Sequence, residues 1–174
     1  MRSPALRRMK QNIKAMNRNQ QLAHRIREVF LNGRWIANTN YKEQIEATGW
    51  EQAIQKAGDL NTVAALTFHL DYYLSGVLHA FRTGLLEIRD RYSFDLSPFE
   101  NEEAWFALRN RFLQNAEDFA RHVESIDEAE FDRPFLNEKY GSLLRNIEAM
   151  IEHGYYHLGQ IVVIRKLIAN STYS

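Results

Sequence analysis

Apolar residues recur three and four positions apart along four long segments of this chain, with no sustained two-residue alternation anywhere. That spacing lines one face of an α-helix, whereas a half-buried strand would need a period of two. Leu22, Ile26, Val29 and Phe30 mark a first helix, which is expected to stop near Asn32-Gly33 because glycine suits a helix C-terminus. A short helix is predicted over 41–47, ending at Gly49, and the irregular link before it, 34–40, carries Trp35 as an expected aromatic anchor. The second long helix follows Asp59-Leu60-Asn61, with Val63, Leu66, Leu70, Tyr73, Val77 and Phe81 in register and Gly84 closing it.

Ser97-Pro98-Phe99-Glu100 predicts the start of the third long helix. Serine would cap, proline would take the first helical position, and the glutamate would complete a capping box. Trp105, Leu108, Phe112, Phe119 and Val123 then form its buried stripe. A weaker capping pattern over 127–130 predicts one short turn. The last helix is expected over 142–168, with Leu144, Ile147, Ile151, Ile161, Ile164 and Ile168 as core residues. The expected fold is all-α, a four-helix bundle with short extra helices in the connections. Cofactor sites in such bundles are built from side chains on facing helices.

The chain has no cysteine, which excludes disulfides, cysteine nucleophiles and thiolate metal sites. Any metal must be held by histidine and oxygen ligands. No apolar run reaches the roughly 20 residues that span a bilayer, and no signal-peptide core is evident, so the expected location is the cytoplasm, without membrane partners. Net charge is zero but uneven, since Arg2, Arg7, Arg8, Lys10, Lys14 and Arg18 all precede the first acidic residue, Glu28. Residues 1–18 are read as a basic, solvated arm and 19–174 as one domain. The arm lacks the interleaved aromatics that base stacking needs, so no specific nucleic-acid binding is expected.

Three of the six histidines carry the chemistry. His153 and His157 lie four apart on the last helix, and residues so spaced sit one above the other on one face. They can aim two imidazoles at one point, as half of a metal site. His69 on the second long helix is the third candidate, with Thr62, Ala65, Tyr73, Gly76 and Ala80 along its line. Most of these are small, which suggests room for a non-protein group. His79 lies on another face, and His24 and His122 have no evident partner. A metalloprotease is excluded because Gly154 follows His153 where His-Glu-x-x-His needs its glutamate. Three imidazoles leave part of the coordination sphere open, the arrangement of a catalytic rather than a structural site. Tyr72, Tyr73, Tyr155 and Tyr156 flank the ligands, either as core residues with a polar tip or as groups that orient substrate; Tyr73 is the one singled out. Gln160, one turn beyond His157, is either the oriented partner that a metal-binding imidazole needs or a bond to a neighbouring helix.

His69, His153, His157 and Gln160 in these positions resemble the DinB-like superfamily of small metal-binding helical bundles, over roughly residues 21–168. The segment 30–40 also looks like the first-loop pattern of an uncharacterised bacterial subgroup of it. The resemblance implies one divalent ion per chain, nickel or zinc, held by His69, His153 and His157, and a homodimer. It further implies a metal-dependent hydrolase, or a transferase that uses a low-molecular-weight thiol as cofactor, acting on a small-molecule substrate. The competing expectation is a non-enzymatic metal- or ligand-binding bundle of the stress-response kind.

Overall fold

The computed structural model describes residues 16–99 and 101–171. The expected basic arm falls mostly on residues 1–15, outside the described residues, while Asn17 and Arg18 already belong to the fold. Asn17 caps the first helix, α1 (Arg18–Arg27), in a reciprocal capping box with Gln20. The Arg18 backbone N–H donates to Glu128 at 2.8 Å. A π-helical turn, Glu28–Asn32, continues α1. Gly33 ends it, and a Cβ there would fall 2.2 Å from the Glu28 side chain, so this close approach requires glycine.

Two short helices follow, α2 (Tyr41–Glu46), capped by Asn40, and α3 (Trp50–Ile54). Periodicity had indicated only the first of them, because five residues are too few to show a period. The long α4 (Val63–Thr83) is capped by Thr62, and Gly84 closes it in the left-handed conformation at φ 74°. α5 spans Glu102–Ser125 and α6 Leu143–Ser171. A 3₁₀ turn sits at Glu128–Glu130, as the sequence predicts. The fold is all-α: among the described residues there is no strand, only a single bridge between Pro134 and Ser142.

α5 packs against both α1 and α4, and α6 packs against the same two helices. Between them lies a core in which Phe30, Tyr41, Trp105, Phe112, Phe119 and Phe131 are fully buried. Asp71 of α4 sits buried against α5, receiving Arg111 Nε at 2.6 Å and Asn115 Nδ2 at 2.8 Å. Charge-assisted bonds of this kind fix the rotation of one helix against another. Every residue expected in the third-helix stripe is buried, and in the last helix only Leu144 is half-buried rather than buried.

Three expectations are corrected. The third long helix begins four residues late, with Asn101 rather than Ser97 as its cap, its side chain accepting from the Ala104 N–H. Phe99 instead turns inward to Trp105, their rings 6.4 Å apart, and core packing outweighs the local capping signal; Glu100 lies outside the described residues. Trp35 anchors nothing. It is 90% exposed, because the 34–40 turn is held by polar bonds, Ile36 N–H to Glu28 at 3.1 Å and Asn40 Nδ2 to the Gly33 carbonyl at 3.0 Å. The room expected beside His69 at Gly76 is filled by Ile88, whose Cγ2 would lie 2.0 Å from a Cβ at that position. A glycine on a buried helix line can receive protein from elsewhere in the chain as readily as a ligand.

Candidate metal centre

α4 and α6 present the three expected histidines to one point. His69 and His157 are buried and His153 half-buried, and their ligand nitrogens all lie within 4.8 Å of one another. No other such group of metal-ligating side chains occurs among the described residues. The convergence is through Nε2: His153 Nε2 lies 3.1 Å from His69 Nε2 and 2.8 Å from His157 Nε2. Three nitrogens around a zinc ion at about 2.0–2.1 Å would stand roughly 3.4 Å apart in a tetrahedral arrangement. The observed separations are slightly tighter than that.

Proton bookkeeping shows what the cluster suits. His157 Nδ1–H donates to Gln160 Oε1 at 2.7 Å, so its Nε2 carries a lone pair toward the centre. Gln160 thus bonds to a histidine of its own helix. His69 Nδ1 is a buried nitrogen without a partner in hydrogen-bond geometry; the Ser93 backbone beside it favours the protonated ring without closing a bond. Whichever ring carries the proton, hydrogen bonds among the three cannot satisfy every Nε2 facing the centre. A cation does, and the donor set fits a borderline divalent ion such as zinc or nickel.

Burial is the main force on the ring charges. It lowers His69 to about 4, helped by His157, and lowers His153 to about 4, helped by His157 and His69. His157 is also lowered by burial, against the opposing bond to Gln160. Burial therefore keeps the rings in the neutral form that a metal needs to lower pH than an exposed histidine would allow.

The linkage has a definite sign. Each folded-state pKa lies below its unfolded value, so the unfolded chain takes up protons first as pH falls. The histidines' contribution to stability is complete above about pH 6.5 and is lost between there and about 4. Urea unfolding of metal-free protein should show that loss, and a His153→Gln variant should be flatter over the same window. Parallel pH profiles for the two proteins would contradict the assignment.

The tyrosines divide. Tyr73 lies edge-on to His69 and His153, with ring centroids at 5.0 and 5.3 Å, and its hydroxyl donates to Asp90 Oδ1 at 2.9 Å. Burial and that carboxylate raise its pKa, so it acts as a proton donor in hydrogen bonds. Tyr72 turns to the Arg89 backbone, Tyr155 to Glu28, and Tyr156 to solvent. His79 pairs with Glu87 at 3.2 Å, His24 is exposed, and His122 has a partner after all, stacking on Phe81 at 4.2 Å.

Sequence reasoning missed the segment that covers the centre. Phe94 stacks on the His69 ring at 4.1 Å and 17°, and Ser93 is buried beside it. Both belong to the 85–99 segment that follows α4, which has no periodicity to read. Only the polar tips of Tyr72 and Tyr73, which need partners when half-buried, hinted that something packs there. No family model matches the chain, and no curated protein or solved structure matches it either.

Proposed function

We propose that this chain is a divalent-metal protein of the DinB-like kind, a four-helix bundle holding one nickel or zinc ion on His69, His153 and His157. The observation that carries the reading is the meeting of three Nε2 atoms from two helices, with the outward nitrogen of His157 held by Gln160. A bound divalent ion would lower the pKa of water or of a low-molecular-weight thiol and so supply a nucleophile. The chain's own residues supply the rest: three neutral donors, a half-exposed His153 on the side open to solvent, and Phe94 shielding His69 from water. The function proposed is a metal-dependent hydrolase or thiol S-transferase acting on a small molecule. The resemblance extends the proposal to a homodimer.

The Phe94 stack favours a second reading, a non-enzymatic metal-binding bundle, because an aromatic lid restricts access to the centre. Turnover separates the two. Metal-loaded protein given 1-chloro-2,4-dinitrobenzene and a bacterial thiol should release chloride and form the thioether, while an activated ester tests hydrolysis. Thiol-dependent turnover lost in His69→Ala establishes the transferase. Rates equal to those of that variant with both substrates would favour the non-enzymatic reading.

A further inference from the structure

An imidazole binds a metal only as a neutral donor, so His69, His153 and His157 bring no negative charge to the centre. A divalent cation held by them keeps its whole charge in a half-buried pocket, and buried charge without a counterpart is costly. Several other carboxylates are committed elsewhere. Glu28 accepts from the Tyr155 hydroxyl at 3.0 Å and from Ile36 N–H. Asp71 is held by Arg111 and Asn115, Glu87 by His79, and the exposed Glu152 by Arg145 at 2.8 Å.

Asp90, itself exposed, differs in where its partner sits. It opens the 3₁₀ turn Asp90–Tyr92, and its bonded partner is a neutral hydroxyl, that of Tyr73, whose ring packs on two of the three histidines. Its negative charge already acts on His69 in the direction that favours a cationic ring. The turn is pinned on both sides. The Tyr72 hydroxyl donates to the Arg89 carbonyl and accepts from the Arg89 N–H, Ser93 Oγ donates to the Asp90 carbonyl, and Phe94 stacks on His69. A carboxylate already ordered in this way loses little freedom when a cation arrives.

We propose that Asp90 is the anionic counterpart of the bound cation, standing outside the ligand set, and that Tyr73 is the positioning residue that holds its carboxylate toward the histidines. The inference rests on the metal-site reading above. Asp90 is not among the atoms that converge within 4.8 Å, so it acts across space on the cation and as an acceptor for a donor in the open position.

Titration of the purified full chain with Zn²⁺ and with Co²⁺, the latter followed by its visible absorption, tests this. Asp90→Asn keeps the shape and removes the charge; its affinity should fall roughly 10-fold, the scale of a charge interaction across a few ångströms of partly solvated space. The Co²⁺ spectrum should change with it, and Asp90→Glu should recover part of the loss. Tyr73→Phe should weaken binding in the same direction by less, and the double variant should bind no worse than Asp90→Asn alone. Wild-type affinity and an unchanged spectrum in Asp90→Asn overturn the proposal. Losses that multiply in the double variant overturn the positioning role of Tyr73. If Asp90→Asn loses its helical circular dichroism, Tyr73→Phe carries the test, and unchanged affinity there overturns it. A wild-type chain that takes up neither ion overturns the metal reading itself and this inference with it.

Discussion

Replacing His157 by alanine is expected to remove the metal from the purified protein. Apparent zinc binding energies of about 10–16 kcal/mol, spread over four ligands, assign roughly 3 kcal/mol to each, or about 10²- to 10³-fold in affinity. His157 should sit at the upper end, because Gln160 has already oriented it and its Nε2 lies 2.8 Å from that of His153. Elemental analysis should find about one ion per wild-type chain and a small fraction of that in His157→Ala. Thermal unfolding gives an independent reading. Ligand at about a hundred times its dissociation constant stabilises the native state by roughly 2.7 kcal/mol, so added zinc should raise the wild-type midpoint and leave the variant's nearly unmoved. Equal metal content in the two proteins would remove His157 from the site.

Trp105→Ala should be the most destabilising single change outside the metal centre. The side chain is fully buried, and its Nε1–H donates to the Thr48 carbonyl at 3.0 Å, tying α5 to the segment between α2 and α3. Truncating a buried tryptophan costs about 3–5 kcal/mol, with a further penalty for leaving a buried carbonyl unpaired. In a domain of this size that lowers the midpoint by roughly 6–20 °C. Trp35→Ala should change stability by no more than about 0.5 kcal/mol, since Trp35 is 90% exposed. Urea melts of the two variants side by side check both statements, and similar losses would mean that the 34–40 turn packs more closely than described.

The contrast between these tryptophans marks where sequence reasoning ends. Each sits in an amino-acid pattern that invites burial. Trp105 is on a helical stripe with Leu108 and Phe112, so a period supports the inference; Trp35 is in a seven-residue link with no period. The same division runs through the site. His153, His157 and Gln160 are related by local helical geometry, which any residue spacing of three or four reveals. His69 was reachable because facing helices are where a bundle builds a site, and its register along α4 could be counted.

Relations of the other kind are long-range. The filling of the space at Gly76 by Ile88, the stacking of Phe94 on His69 and the reach of Tyr73 to Asp90 each join a helix to an irregular segment whose path no period predicts. The start of α5 belongs with them. Ser97 and Asn101 are both competent caps, and the choice went to Asn101 while Phe99 turned toward Trp105. By itself, then, the sequence determined the helices, their buried faces and the histidines that could share one point, because backbone periodicity is set within a few residues. Only the tertiary structure decided how closely the three Nε2 atoms meet, what covers them and which carboxylate Tyr73 reaches, because those depend on where distant segments find room to pack.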